Sequence, residues 1–299
     1  MSRLAAAPLG CVPIVWNNAD LLDLAPEVPA DVVMDELARI GFAGCQFGRG
    51  FPEGQALADA LRGRSLRLAE RYCALPADAD GLTGDPEQMS RESLAALAAA
   101  GGEVLVVALD GSPERDAVAG RVPEGSPRWP DAAFDRLVEL LTTLAGEAPD
   151  GIRVAFHPHT ATWIEAPHEV DALAARLAGS AVGLCLDVGH YLVGGGDPVD
   201  AISRHGSLVT HVHLKDVDPE VLERVRGGEM AGFGDAARER IFTELGNGIL
   251  DLGGVLRALE GIGYAGWLMV EQDTTWLPPS EAAAIGHRVL RYALRDLSA

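Results

Sequence analysis

The sequence predicts an α/β protein built as a single (β/α)8 TIM barrel over residues 1–299. Three observations carry that reading. Short apolar, β-branched runs alternate with longer amphipathic ones from end to end, which is the pattern of parallel βαβ units. No tandem hairpin signal breaks the alternation. The length of 299 residues is slightly above the ~250 of one α/β barrel and too short for two large domains. An open doubly wound sheet is the alternative, but no GxGxxG follows the first strand.

Taken in order, the expected strands are Gly10–Trp16, Gly44–Phe47, Arg67–Cys73, Val104–Leu109, Arg153–His157, Gly183–Asp187, Thr210–Leu214 and Trp267–Glu271. Eight such units close naturally into a barrel. Between them, apolar residues recur at helical spacing over Ala30–Ile40, Arg91–Ala100, Pro130–Gly146, Pro167–Leu177, Leu252–Gly261 and Ser280–Leu297. Two connections are long. Asp110–Pro130 is rich in Gly, Pro and charge, and Lys215–Gly248 carries helical pieces at Asp218–Val225 and Asp235–Glu244. Both follow strands, so in a barrel they would stand on the catalytic face as lids or substrate walls.

Composition excludes several classes of function. Twenty-four basic residues face 44 acidic ones, a formal net charge of −20. That surface repels a phosphate backbone and no Lys/Arg stripe offsets it, so nucleic acid is not an expected partner. No apolar stretch reaches the ~18 residues that cross a bilayer, so no membrane partner is expected either. The segment Met1 to Pro8 has one basic residue and leads straight into a strand, unlike a secretory leader, and the expected location is the cytoplasm. The four cysteines, Cys11, Cys45, Cys73 and Cys185, fall inside strands without a CxxC pair. They read as buried small apolar residues rather than disulfides or a zinc site. A homo-oligomer is compatible with all of this.

The candidate chemistry concentrates at strand ends. Five of eight histidines, His157, His159, His190, His211 and His213, lie at or just past the ends of strands five, six and seven, which converge on one mouth in a barrel. The other three, His168, His205 and His287, fall in helical patterns and read as surface or packing residues. Residues two apart in a strand share a face, which groups His157 with His159, and His211 with His213 and Lys215. Strand six closes on Asp187, and strand eight on Glu271 with Asp273 on the same face. A carboxylate ending an apolar run is costly to bury without a cation, a hydrogen-bond network or a metal. Mixed nitrogen and oxygen donors suit Mn2+, Co2+, Fe2+ or Zn2+ better than Ca2+.

These residues carry a resemblance. The segments Pro13-Ile14-Val15-Trp16-Asn17-Asn18, Phe156-His157-Pro158-His159, Leu186-Asp187-Val188-Gly189-His190, His211-Val212-His213-Leu214-Lys215-Asp216 and Val270-Glu271-Gln272-Asp273 resemble the xylose-isomerase-like barrel superfamily of sugar isomerases and epimerases. Within it they are most similar to the inosose dehydratase branch. The resemblance spans nearly the whole chain and implies a divalent metal, Mn2+ or Co2+ first with Zn2+ and Fe2+ as alternatives. It maps the ligands onto Asp187, His213 and Glu271, with His157 in the slot where the epimerases carry a glutamate. That exchange removes the paired carboxylates of a reversible epimerase. Two positions depart from the dehydratase pattern: Gln46 stands for a glutamate, and Pro158 interrupts a histidine run.

The implied reaction is loss of water from a small polyhydroxylated cyclic ketone. His159, His190 and His211 are the candidate acids and bases. Lys215 either holds a substrate oxygen or pairs with its neighbour Asp216. Trp16 and Asn18 are expected to form a wall and a hydrogen bond for the sugar ring, with Gln46 and Asp273 as further substrate contacts. A ketose 3-epimerase or sugar isomerase, a 3-keto-glycoside lyase, and a non-catalytic sugar-binding barrel are the competing expectations.

Overall fold

Eight parallel strands close on themselves in the computed structural model, which describes residues 3–123 and 128–297. The strands are β1 (Leu9–Cys11), β2 (Gly44–Gln46), β3 (Arg67–Leu75), β4 (Val104–Leu109), β5 (Arg153–Phe156), β6 (Gly183–Asp187), β7 (Val209–Leu214) and β8 (Leu268–Val270). They neighbour one another in chain order, and β8 pairs with β1 to close the ring. Both the alternation and its consequence are as the sequence predicts. β4 and β6 are buried at every position, as expected of strands covered by helices outside and side chains inside.

The outer layer comprises α1 (Ala30–Ile40), α2 (Gly54–Arg62), α3 (Pro86–Ala99), α4 (Asp131–Glu147), α5 (Pro167–Leu177), α6 (Pro198–His205), α7 (Leu252–Gly261) and α8 (Pro279–Asp296). Capping explains several starts. Asp85, Asp197 and Asp251 accept backbone N–H groups of the first turn of α3, α6 and α7, and Pro occupies the first turn of α3, α5, α6 and α8. α1 ends at Gly41, whose φ of 104° is the left-handed stop that glycine adopts without strain. No helix among the described residues is long and apolar enough to cross a membrane.

Boundaries differ from the sequence reading where local chemistry intervenes. β1 stops at Cys11 because Pro13 turns the chain into a 3-10 turn over Pro13–Val15, so the expected strand Gly10–Trp16 is too long. β3 runs on to Leu75. α2 and α6 were not among the expected helices. In the long connection after β7, helices cover Pro219–Arg226 and Phe233–Arg238, and residues 216–217 pair with 242–243 in a short antiparallel ribbon. That ribbon corrects the helical reading of Asp235–Glu244. Residues 124–127 of the connection Asp110–Pro130 lie outside the described residues. All four cysteines are free and buried.

Candidate active site

The mouth is built by strands whose last residues turn polar after an apolar run. β6 ends in Asp187, which also caps the helix Val188–Val193: its Oδ1 accepts the backbone N–H groups of Gly189 and His190, each at 2.8 Å. One carboxylate oxygen is thereby committed to the fold. The other, Oδ2, is buried without a hydrogen-bond partner. In register with Asp187 on the next strand is His213, and Glu271 follows β8. Ligand atoms of Asp187, His213 and Glu271 all lie within 4.8 Å of one another. His213 Nδ1 is 2.7 Å from Glu271 Oε2 and 3.8 Å from Asp187 Oδ2. His157 Nε2 approaches the same Asp187 oxygen at 3.8 Å. Apart from the close approach of His213 Nδ1 to Glu271 Oε2, Asp187 Oδ2, His213 Nδ1 and Glu271 Oε2 are buried atoms without a hydrogen bond, and three such atoms aimed at one point are uncommon in a folded protein.

Lys215 stands beside them. It is the only lysine in the chain, every other basic residue being arginine, and it is 1% exposed. Its Nζ lies 2.8 Å from Glu271 Oε1, 2.9 Å from Asp273 Oδ1 and 3.5 Å from Asp187 Oδ2. Burial works against the ammonium charge, but Asp187, Asp273 and Glu271 outweigh it and raise its pKa well above the usual value. The expected alternative pairing with Asp216 does not occur. Both Asp216 oxygens instead accept backbone N–H groups of Val217, Gly246, Gly248 and Leu250, which stitches the long connection into place. The Lys215 stem passes over Gly189, where a Cβ would meet its Cβ at 2.8 Å. A glycine is therefore required between Val188 and His190.

Above this cluster His159 and His190 stack with ring centroids 3.8 Å apart. The Thr160 carbonyl accepts from His159 Nδ1–H at 2.7 Å, leaving Nε2 as the ring's lone-pair nitrogen. Burial, then the nearby Lys215 charge, lower the His159 pKa to about 4, so the imidazole is neutral at physiological pH. His190 sits deeper. Its Nδ1 meets Thr160 Oγ1 at 2.8 Å and its Nε2 receives Lys215 Nζ at 3.1 Å, so both nitrogens are occupied. Hollows of about 100 and 290 Å³ open at the mouth and share Asp20, Tyr72, His159 and Asp273. The smaller is lined by Gln46, His157, His213, Lys215 and Glu271, and the larger by Asp110, Asp116 and Phe233 from the two long connections. These connections form walls, as their position predicts.

Several expected site residues are placed elsewhere. His211 does not reach the mouth. It is fully buried below His213, and its Nε2 pairs with Glu70, so it cannot touch a substrate. Trp16 is 4% exposed within the core, and its Nε1–H donates to Glu36 on α1 at 2.6 Å. It forms no wall because the Pro13–Val15 turn swings it outward. Asn18 borders the larger hollow, but its side chain is engaged in holding the loop, donating to the Asp273 carbonyl and accepting from Asp20 and Leu21 N–H. Gln46 and Asp273 line the mouth. Sequence reasoning missed Glu70 and Tyr72, which share a face of β3. A glutamate in the middle of Leu-Ala-Glu-Arg-Tyr-Cys was the available signal. Glu70 Oε2 pairs with Nε2 of both His211 and His213, the latter at 2.9 Å. Burial raises its pKa, but the two imidazoles outweigh this and hold it near 2.

A second buried network fastens the wall. Glu165 accepts Gly120 N–H at 2.6 Å and Ala161 N–H at 2.7 Å, joining the connection after β4 to the His159 turn, where Ala161 holds a left-handed φ of 66°. Burial pushes the Glu165 pKa from 4.5 to about 7, with the two N–H donors and Arg115 offsetting it only in part. The native state therefore keeps this proton after the unfolded chain has lost it, and stability falls as pH rises through that window. Glu165→Gln is expected to remove this dependence, so wild type should lose about 2 kcal/mol relative to the variant between pH 5.5 and 8. Urea unfolding at the two pH values checks it. Parallel pH profiles would show that Glu165 titrates normally.

The chain from residue 34 to 293 matches the family model described as xylose isomerase-like TIM barrel. An inosose dehydratase of Geobacillus thermodenitrificans is 31% identical over 291 residues, covering 95% of this chain and 96% of that protein. The rhizopine catabolism protein MocC of Rhizobium meliloti is 33% identical over 298 residues, covering 97% and 89%. Among solved structures, the IolI protein with a bound zinc atom superposes with a TM-score of 0.72 at 14% identity, covering 97% of this chain and 98% of that one.

Proposed function

Because this chain belongs to the xylose isomerase-like TIM barrel family, we propose that its mouth is the active site of a metal-dependent hydro-lyase that removes water from an inosose-type cyclic polyhydroxy ketone. The observation that carries the reading is the convergence of Asp187 Oδ2, His213 Nδ1 and Glu271 Oε2, buried and with no hydrogen bond outside the trio, beside a neutral imidazole and a charged ammonium. One imidazole and two carboxylates fit a divalent transition cation. His157 is the fourth donor, and Mn2+ or Co2+ is the proposed ion. The proposed location is the cytoplasm.

The bound ion would supply Lewis acidity for the substrate carbonyl and an adjacent hydroxyl. The protein's own groups do the rest. His159 Nε2 carries the lone pair that accepts the proton α to the carbonyl. Lys215 donates to the oxygen on which negative charge develops, held in place by Glu271 and Asp273. As the β-carbon–oxygen bond breaks, His159 returns the proton it took to the leaving hydroxyl, and the products are water, an unsaturated hydroxy-ketone and a neutral imidazole. The Tyr72 phenol, kept protonated by burial, and Asp273 face the ring hydroxyls. His190 buttresses His159 and Lys215 rather than touching substrate.

Incubation of the purified protein and Mn2+ or Co2+ with scyllo-inosose tests the reading. Near-ultraviolet absorbance should grow as the hydroxy-enone and its dione tautomer form. His159→Gln should lower kcat by roughly 10² to 10⁴ while metal affinity is retained. Interconversion of ketohexoses without elimination would reassign the protein as an epimerase. Similarity to inosose dehydratases at 31% and 30% identity favours the dehydratase, as does His157 in place of a second acid–base glutamate.

A further inference from the structure

The opposite end of the barrel carries a basic hollow that the proposed reaction does not use. A cavity of about 560 Å³ opens between the start of β1, the start of β2 and the last two turns of α8. Apolar walls come from Pro8, Leu9, Ala43 and Leu294, and the polar lining comes from His287, Arg291 and Arg295. A smaller hollow of about 170 Å³ shares those three residues and adds Arg288 and Tyr292. Among the described residues no aspartate or glutamate lines either one, in a chain with 44 acidic residues.

Three arginines without an ion pair gather on this face, whereas most arginines around the rest of the barrel have one. Arg62, Arg64, Arg91, Arg136, Arg176 and Arg204 all sit against carboxylates. Arg288, Arg291 and Arg295 have no ion-pair partner among the described residues, although Arg295 lies over the Tyr292 ring. Cations in the last turn of a helix complement its dipole. That accounts for Arg295 but not for Arg291 and Arg288, one and two turns earlier. At their centre His287 is 7% exposed, packed edge-on against Phe42 with ring centroids 4.8 Å apart. Its Nε2 is buried without a hydrogen-bond partner. Among the described residues the one backbone group that the His287 ring approaches is that of Gly41, and an anion in a hollow ringed by guanidinium groups would complete its hydrogen bonding.

We infer that this hollow is a binding site for a small molecule bearing a polyphosphate group. The spacing selects a chain of phosphates over a single one. Arg288 and Arg295 are separated by seven helical residues, about 10 Å along the axis, with Arg291 between them on the face of His287. The apolar walls would receive the organic part of the ligand. The volume lies within the roughly 300–1,000 Å³ of small-ligand sites.

Isothermal titration of the full chain with sodium tripolyphosphate, and separately with ATP, at constant ionic strength tests the site. Saturable binding is expected, weakened at least about tenfold in Arg291→Gln/Arg295→Gln and undiminished in Asp187→Asn. The last arm separates this hollow from chelation of a cation at the mouth. Tighter binding of ATP than of tripolyphosphate would place the nucleoside on the apolar wall, and equal binding would assign recognition to the phosphates alone. The proposal falls if neither ligand binds, if the double variant binds as wild type does, or if sulfate at matched ionic strength competes equally. It also falls if the double variant changes only the sedimentation of the protein, which would make the face a contact between two copies. The outcome is independent of the dehydratase assay.

Discussion

Asp187→Asn is expected to abolish metal binding and to lower kcat by at least about 10³, the several kcal/mol that a Lewis acid contributes to such a step. The choice of asparagine separates two roles of one side chain. Asp187 Oδ1 caps the helix Val188–Val193 through Gly189 and His190, and an asparagine carbonyl accepts the same two bonds. Only the second oxygen changes, from a carboxylate oxygen without a hydrogen bond, aimed at His213 and Glu271, to the nitrogen of a neutral amide. Asp187→Ala and Glu271→Ala should show the same loss of metal, with the alanine at 187 also removing about 1 kcal/mol of helix cap. Metal content by atomic emission and kcat on the inosose are the two readouts. Full occupancy with full activity in the asparagine variant would remove the site as proposed.

The second large effect falls on a residue that no substrate touches. Glu70→Ala is expected to destabilise the fold by about 3–5 kcal/mol, because it strips His211 and His213 of their shared acceptor inside the barrel. It should also weaken metal affinity roughly 10- to 100-fold, since Glu70 holds the Nε2 side of His213 and turns Nδ1 toward Asp187 and Glu271. Glu70→Gln keeps the volume and one acceptor oxygen, so its effects should be smaller in both measurements. Denaturant unfolding of the metal-free protein and a metal titration separate the two consequences. A stable Glu70→Ala protein with unaltered affinity would show that His213 is oriented by its strand alone.

Pro13 and Trp16 show where sequence pattern and structure part. The apolar run from Gly10 to Trp16 has strand composition, yet the strand is only Leu9–Cys11. The ring of Pro13 ends the pairing and carries Trp16 out to α1, where Glu36 receives its indole N–H. The cue for that bend lay in the sequence, but Glu36 is twenty residues away and on a different layer. His211 and His213 show a second limit. Their spacing correctly places both on the inner face of one strand. The shear of the barrel then sets their height, putting one at the mouth and one beneath it against Glu70, 141 residues earlier in the chain.

By itself, then, the sequence determined the eightfold alternation, the closed parallel barrel and the strand ends that bear Asp187, His213, Lys215 and Glu271. Those features depend on periodicity and on the cost of burying charge, both of which are local properties that residue order expresses directly. Tertiary structure alone decided depth and partnership. It placed His159 over the cavity and His190 behind it, gave Lys215 to Glu271 and Asp273 instead of Asp216, and set Glu70 under the imidazoles. The physical reason is that a period of two fixes which face a side chain takes, while its height in the barrel depends on how distant strands are staggered against one another.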